Sequence, residues 1–168
     1  MKNSLKPFEY FVDPGYICLP QKESMLYAVI GSGIVVTLYD RQRRTGGMSY
    51  FFRPVRTDKN DNRPAYALPA IAGILKMLLD NGSSEEHLEA QVYGGADNPK
   101  ANGYQQGLAS ENIRAVFSIL KQKNITVSSF DIGSERGRKI AFNTLTGETV
   151  VAKVNTIRKK DWFPQLTE

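Results

Sequence analysis

The amino-acid sequence predicts an α+β fold, a mixed or antiparallel β-sheet sandwich with two main helices on one side. Most apolar segments are short, rich in β-branched and aromatic residues, and bounded by glycine, proline or asparagine, as in strands and turns. Only two segments have apolar residues at the three- and four-residue spacing of a helix. These two segments are inserted singly between strands, which favours α+β over a regular α/β alternation.

The chain before the first helix is predicted to be extended. Three prolines interrupt residues 1–24, so this stretch is expected to be a lead-in without a long helix. Residues 25–39 predict a strand, a tight bend at Gly31-Ser32-Gly33 and a second strand. A third short strand is expected at 48–53, and the polar segment 56–63 is expected to be an exposed loop.

The remainder of the chain is predicted to hold both helices and four more strands. The first helix is expected to begin at Pro69 and to end at Asn81-Gly82. The second helix is expected to be capped by Ser110. Thr146-Gly147 is the expected turn of the last hairpin. The four strands are expected at 88–93, 126–132, 139–143 and 149–153.

Length and composition predict one domain over residues 1–168. The chain is 41% hydrophobic and 23% charged, which is ordinary for a soluble globular protein. No apolar run approaches the roughly 20 residues that cross a bilayer. The N-terminal residues also lack the apolar core and cleavage site of a signal peptide. We therefore expect a cytoplasmic protein without membrane insertion.

The chain has one cysteine, Cys18, and one histidine, His87, which limits the chemistry available to it. No structural zinc site of the usual Cys/His type can be assembled from one of each, and we expect neither a metal nor a cofactor. Cys18 lies between apolar residues without a neighbouring base, so a buried, inert thiol is the favoured interpretation. Ser32 would need His87 as its base, because the chain has no other imidazole.

The net charge of +5 and the isoelectric point near 9.3 suggest an acidic partner. Lysine and arginine are spread along the chain in small clusters, without a long basic arm or a nucleic-acid-binding motif. The charge therefore indicates either a solvated basic surface or attraction to a carboxylate-rich protein surface. Specific binding to nucleic acid is not expected, and nonspecific binding would be strongly salt-dependent.

Three glycine clusters stand at the ends of predicted strands: Gly31-Ser32-Gly33, Gly46-Gly47 and Gly94-Gly95. Glycine permits close backbone approach, so the clusters could mark a shared crevice, although turn glycines without a ligand are common. A nucleotide-binding loop is excluded, because the first cluster lacks the GK[ST] ending and precedes a strand rather than a helix.

Six segments carry a resemblance to a known family. They are YAVIGSGIVVTLYD at 27–40, GGMSYFFRP at 46–54, LEAQVYGGA at 88–96, ENIRAV at 111–116, DIGSERGRKI at 131–140 and TGETVVAKV at 146–154. In this order they resemble the motifs of CheD, the chemoreceptor glutamine deamidases of chemotaxis. The family's first two motifs read close to T-x-G-x-G-S-C-V-x-V-x-x-x-D and G-G-M-A-H-x-M-L-P. The resemblance covers about residues 25–154, which places a lead-in before it and a tail, 155–168, after it.

The resemblance implies a cysteine hydrolase fold of the cytotoxic necrotizing factor and YfiH-like type, and a specific chemistry. In the family, a cysteine attacks the side-chain amide of a receptor glutamine, a histidine activates the thiol, and a threonine orients the histidine. This chain has Gly33 at the cysteine position, Tyr50 at the histidine position and Tyr27 at the threonine position. Glycine and tyrosine supply neither a nucleophile nor a general base near neutral pH. The resemblance therefore implies a scaffold that has lost its catalyst.

The leading hypothesis is a CheD-like pseudoenzyme without catalytic residues that binds chemoreceptor helices or a CheC-like phosphatase. Its vestigial site is expected to comprise Tyr27, Gly31, Ser32, Gly33, Tyr50, Gly94 and Gly95. The alternative is an active glutamine deamidase or amidase that uses a displaced nucleophile, Cys18 or Ser32. A further alternative is a scaffold anchored by the tail Trp162-Phe163-Pro164, although such a tail more often covers its own domain. The sequence leaves the oligomeric state open.

Overall fold

The computed structural model describes residues 6–162, and it confirms the α+β class. Within this range the chain forms nine strands, three helices and one short 3₁₀ turn, Glu85–His87. The strands are β1 (Phe8–Phe11), β2 (Ile17–Cys18), β3 (Ser24–Ile30), β4 (Ile34–Asp40), β5 (Thr45–Phe51), β6 (Leu88–Gly94), β7 (Thr126–Ile132), β8 (Gly137–Asn143) and β9 (Thr149–Val154). The helices are α1 (Ala67–Asp80), α2 (Leu108–Gln122) and α3 (Lys159–Trp162).

The elements stack in three layers, and two hydrophobic interiors separate the layers. The outer sheet has the order β1-β3-β8-β9, and the central sheet has the order β2-β5-β4-β6-β7. Both sheets contain one parallel and several antiparallel pairs, so both are mixed. One interior lies between the two sheets, and the other lies between the central sheet and helices α1 and α2. The sandwich with two helices on one side is therefore confirmed.

The central strand β4 is apolar on both faces because both faces are covered. Ile34, Val36 and Leu38 pack toward the helices, whereas Val35 and Tyr39 pack toward the outer sheet. A strand buried on both sides is expected to be continuously apolar rather than alternating. By contrast, β3 alternates between buried and half-buried residues, because only one face of the outer sheet is covered.

Both main helices begin earlier than the sequence predicts. Helix α1 begins at Ala67, so Pro69 occupies the third position of the first turn, where a missing N–H costs nothing. Helix α2 begins at Leu108 after Gly107, which has a φ of +83°. The prediction that Ser110 caps α2 is therefore wrong, and Ser110 lies inside the first turn. The C-terminal end of α1 is as predicted, with Asn81 as its C-cap.

The register of the central sheet gives it two distinct ends. At one end Ile34 pairs with Phe51 on β5 and with Gly94 on β6. At the other end Asp40 pairs with Thr45 and with Leu88. The two ends lie about 20 Å apart, because each of six steps along an antiparallel strand rises ~3.4 Å.

The lead-in contributes two strands that the sequence does not predict, β1 on the outer sheet and β2 on the central sheet. The predicted loop at 56–63 lacks helix and strand and is mostly exposed. Among the helices of residues 6–162, none is long and apolar enough to span a bilayer. The predicted anchor Trp162-Phe163-Pro164 is described only in part. Trp162 is the last residue of α3, and Phe163 and Pro164 lie outside the described residues.

Candidate functional site

The candidate site is centred on the glycine arch, Gly31-Ser32-Gly33, which connects β3 of the outer sheet to β4 of the central sheet. The carbonyl oxygen of Gly33 accepts a hydrogen bond from the backbone N–H of Gly95 at 2.8 Å. The carbonyl oxygen of Gly31 accepts one from Ala96 at 2.9 Å. Backbone bonds thus join the arch to the end of β6, and two of the three predicted glycine clusters meet here.

Gly94 and Gly95 are glycines because neighbouring atoms leave no space for a side chain. A Cβ added to Gly94 would lie 2.3 Å from the carbonyl oxygen of Gly33, and the φ of Gly94 is +121°. A Cβ added to Gly95 would lie 2.6 Å from the side chain of Ile113, and its φ is +70°. Both positions therefore need the conformational freedom and the small size of glycine.

Tyr50 fills the space in front of Gly33. A Cβ added to Gly33 would lie 2.9 Å from Cε2 of Tyr50 and 2.9 Å from the carbonyl oxygen of Phe51. The Tyr50 hydroxyl donates a hydrogen bond to the carbonyl oxygen of Val29 at 2.8 Å, and the residue is only 2% exposed. Burial raises the pKa of Tyr50 far above its ordinary value, so the phenol stays protonated and does not act as a base.

Tyr27 lies on the opposite face of β3 from this packing. Its neighbours Leu26 and Ala28 are buried between the sheets, so the side chain of Tyr27 projects from the outer sheet toward the uncovered face. There its ring stacks on Phe11 with centroids 5.1 Å apart, and its hydroxyl lies 3.3 Å from Oε1 of Glu9. The structure therefore does not bring Tyr27 to Gly33 and Tyr50.

Asn112 on α2 holds the arch through hydrogen bonds, and it is not among the site residues that the sequence predicts. Its Nδ2 donates to the carbonyl oxygens of Ser32 at 3.0 Å and of Phe52 at 3.3 Å. The residue is fully buried, and its Oδ1 has no partner among the described residues. An asparagine on the apolar face of an amphipathic helix, one residue before Ile113, is the signal that could have identified it.

A buried arginine joins strand β8 to strand β7 close to Gly94. Arg138 on β8 is fully buried and donates to Oδ1 of Asp131 at 2.9 Å and to the carbonyl oxygen of Arg136 at 2.8 Å. Asp131 pairs with Tyr93, directly before Gly94. The ion pair therefore explains the spacing of aspartate and arginine in the segment DIGSERGRKI, because it joins the edge of the central sheet to the outer sheet.

Cys18 and His87 do not form a pair. Cys18 lies beside Met48 on the edge strand β2, whereas His87 precedes β6, which is three strand positions away. At about 4.8 Å per position, this separates the two by roughly 14 Å across the sheet. Burial raises the pKa of the Cys18 thiol, which disfavours the reactive thiolate.

Ser32 is exposed on the arch, but it has no imidazole beside it. The arch contacts the C-terminal end of β6, whereas His87 precedes the first residue of that strand. Within residues 6–162, no group of three or more His, Cys, Asp or Glu residues could hold a metal ion.

Gly46-Gly47, the third predicted cluster, lies at the other end of the central sheet. A Cβ added to Gly47 would lie 2.6 Å from the carbonyl oxygen of Cys18 and 2.7 Å from Ile74. This pair therefore permits close packing between β5, β2 and α1. A crevice shared by all three glycine clusters is not present.

A groove of about 460 Å³ lies next to residues that hold the arch, but the arch itself does not line it. Asn112, which holds the arch, is adjacent to Glu111 in the wall of this groove. Two other residues of the groove are joined by a hydrogen bond, which Nη1 of Arg53 donates to Oε1 of Gln105 at 3.2 Å. None of the seven predicted site residues lines the groove, whose walls are formed by Arg53, Pro54, Val55, Thr57, Tyr66, Gln105, Gln106, Leu108 and Glu111.

Comparison with known proteins identifies the family. The family model described as CheD chemotactic sensory transduction matches residues 53–153, which is more than half of the chain. The chain belongs to the CheD family. The match begins after Tyr50, so it includes the segments around Gly94, Asn112 and Arg138 but not the glycine arch.

Individual members of the CheD family match a longer part of the chain. The probable chemoreceptor glutamine deamidase CheD of Trichlorobacter lovleyi is 31% identical over 145 residues, which cover 86% of this chain and 90% of that protein. The CheD 2 protein of Geobacter sulfurreducens is 28% identical over 86% of this chain and 89% of its own length. The CheD protein of Methanococcus vannielii is 29% identical over 88% and 96%, respectively.

Proposed function

We propose that this protein is a catalytically inactive CheD-family member that acts in chemosensory signalling by binding rather than by deamidation. The observation that carries the proposal is the contact between Gly33 and Tyr50. At the position that the resemblance assigns to the nucleophile there is no side chain, and a buried, protonated tyrosine ring occupies the space in front of it. A thiol–imidazole pair needs both groups within hydrogen-bond reach, and neither is present there.

The proposed partners are the cytoplasmic helices of chemoreceptors, a CheC-like phosphatase, or both, in the cytoplasm. The relatives are named chemoreceptor glutamine deamidases, which supports a chemoreceptor partner for this chain. The net charge of +5 suits an acidic helical surface. We propose a single CheD-like domain over residues 1–168 with a family core at about 25–154, and the exposed Ser32 of the arch together with the nearby groove as its binding face.

Mass spectrometry of receptor fragments after incubation with the protein tests the loss of activity. We expect no conversion of glutamine to glutamate, whereas a CheD relative that retains the cysteine and the histidine serves as the positive control. Conversion that is abolished by Cys18→Ala or by Ser32→Ala would establish the alternative, an active deamidase with a displaced nucleophile.

A capture experiment tests the binding function separately. The protein is used to recover partners from the native cell, and recovery of chemoreceptors or a CheC-like phosphatase is the expected result. Ser32→Glu places a negative charge on the binding face opposite an acidic partner and should lower recovery by about tenfold, equivalent to roughly 1.4 kcal/mol. Ser118→Glu, at an exposed position of α2, is the matched control and should leave recovery unchanged. Equal recovery with both variants would contradict the proposed face.

A further inference from the structure

A second groove lies at the end of the central sheet opposite the glycine arch. Four separate segments form this groove of about 390 Å³: the β2–β3 loop, the β4–β5 turn, the C-terminal end of α1 and the β8–β9 turn. We call the β4–β5 turn, residues 41–44, the arginine turn, because its sequence is Arg-Gln-Arg-Arg.

The rim of the groove carries uncompensated positive charge. Arg43 and Arg44 are exposed, and within residues 6–162 neither forms an ion pair with a carboxylate. Arg41 differs from them, because its guanidinium lies near Glu89 and the carbonyl oxygens before β6. Arg43 and Arg44 line the groove with Lys22, whose ammonium lies 5.7 Å from the centre of the Phe8 ring, and with one acid, Glu23.

Arg44 adopts a left-handed backbone conformation that is energetically unfavourable for a residue with a large side chain. Its φ is +53°, and its N–H donates to the carbonyl oxygen of Asp40 at 2.8 Å, which closes the arginine turn. Glycine or asparagine would adopt this left-handed conformation at a lower cost, by roughly 1 kcal/mol. Turn formation alone therefore does not explain an arginine here, and Arg44 lines the same groove as Arg43.

Part of the groove wall is apolar, which favours an acidic peptide over a bare phosphate as the ligand. Leu19, Pro20 and Leu145 are half-buried and line the groove together with the arginines, whereas Leu78 is fully buried and exposes no surface there. Guanidinium groups bind both carboxylates and phosphates through paired N–H donors. The apolar wall residues are complementary only to a ligand that also carries apolar side chains, so a peptide with carboxylates flanking an apolar residue fits best.

We propose that this groove binds an acidic, apolar segment of a partner protein, with Arg43 and Arg44 binding its carboxylates. This surface lies about 20 Å from the glycine arch. It is independent of whether the arch binds a receptor, so the two binding faces can fail separately.

Binding of a fluorescent synthetic peptide of alternating glutamate and leucine to the full-length protein tests the proposal. The double variant Arg43→Gln/Arg44→Gln should weaken binding by about tenfold or more, which is roughly 1.4 kcal/mol for two lost charged contacts. The matched control, Arg114→Gln/Lys121→Gln, removes the same charge from exposed positions on α2 and should change affinity by less than about twofold. A control peptide with glutamine in place of glutamate should bind the wild-type protein as weakly as the glutamate peptide binds the Arg43→Gln/Arg44→Gln variant.

The single variant Arg44→Asn separates binding from folding. Asparagine tolerates positive φ, so this variant should melt at the same temperature as the wild type or higher, yet bind the acidic peptide more weakly. Equal weakening by both double variants, or tight binding of the glutamine peptide, would overturn the proposal. Inorganic polyphosphate that binds the groove more tightly than the peptide would overturn it in favour of a phosphate ligand.

Discussion

The two ends of strands β4 and β5 differ in what surrounds them. At the arch end, backbone packs against backbone. A Cβ added to Gly33 would meet the ring of Tyr50, and a Cβ added to Gly94 would meet the carbonyl oxygen of Gly33. At the arginine-turn end, charged side chains surround an open groove, and the turn accommodates a large residue at positive φ. The same pair of strands thus connects a closed end with an open one.

This difference shows where substitutions should affect stability and where they should affect binding. Buried backbone contacts cannot relax around an added atom, so changes at the buried glycines of the arch end should lower the free energy of unfolding, whereas a change at the exposed Ser32 should act on binding. Exposed arginines can be removed without leaving a cavity, so changes at the arginine turn should act on association. Four predictions test this contrast, beginning with the largest expected effect.

Gly94→Ala should be the most destabilising of these changes. The added Cβ would lie 2.3 Å from the carbonyl oxygen of Gly33, and alanine disfavours the φ of +121°. Strain of both kinds should lower the free energy of unfolding by more than about 3 kcal/mol, as judged from urea denaturation.

Gly103→Ala is the control for Gly94→Ala. Gly103 also has a positive φ, +73°, but a Cβ there would meet nothing within 4 Å. Its cost should be limited to the backbone term, about 1 kcal/mol. Similar losses for the two variants would show that the arch end is not tightly packed.

Asp131→Ala should cost about 2–3 kcal/mol, because it leaves the fully buried Arg138 without its carboxylate partner. Asp131 is itself 28% exposed, which reduces the expected loss below that of a fully buried pair. Lys153→Met is the control, because Nζ of Lys153 lies 3.4 Å from the same oxygen and its side chain is exposed rather than buried. That variant should change the free energy of unfolding by less than about 0.5 kcal/mol. Equal losses of stability for Asp131→Ala and Lys153→Met in thermal denaturation would show that the loss does not come from leaving Arg138 unpaired.

Gly33→Cys should be destabilising by about 1–3 kcal/mol, since the new side chain must displace the ring of Tyr50 or shift the carbonyl of Phe51. Tyr50→His in the same chain removes part of the ring and should recover part of that loss. A double-mutant cycle measures the coupling, expected at about 1 kcal/mol. Strictly additive effects of the two substitutions would show that Tyr50 does not fill the space in front of residue 33.

The fold was largely predictable because its strands have a clear local signal. The apolar residues 34–39 predict β4, and the periodicity of the helices predicts α1 and α2 to within a few residues. Two features lacked such a signal. Strand β1 is exposed at all four positions, so its sequence shows no buried pattern. The start of α2 depends on the left-handed backbone of Gly107 rather than on a side-chain cap.

The site was less predictable than the fold, because it depends on which face of a strand a residue occupies. The glycine clusters mark the contact between the arch and β6, and sequence order alone suggests that Gly46-Gly47 joins them. Register separates that pair from the arch by the length of β5. Motif position groups Tyr27 with Tyr50, whereas the alternation of β3 directs the Tyr27 side chain to the other face. Side-chain direction therefore had to come from the structure.

The smallest expected effect concerns Asp40 at the arginine-turn end. Its Oδ1 accepts hydrogen bonds from the backbone N–H groups of Gln42 and Arg43, both at 2.9 Å. Burial acts to raise the pKa of this carboxyl, but the hydrogen bonds outweigh it, and the net shift is downward from 3.8. A lowered pKa in the folded state stabilises the protein above the unfolded value, and this contribution is lost as pH falls through the folded value.

The variant Asp40→Asn keeps an oxygen that accepts the same two hydrogen bonds but cannot ionise. At pH 7 it should be less stable than the wild type by about 1 kcal/mol, the difference between a charged and a neutral acceptor. As pH falls below 3.8, the wild type protonates and the gap should close, which urea denaturation across this range would measure. A difference in the free energy of unfolding that persists or widens in acid would mean that packing of Asp40, rather than its charge, stabilises the arginine turn. The open end would then owe its conformation to packing, as the closed end does.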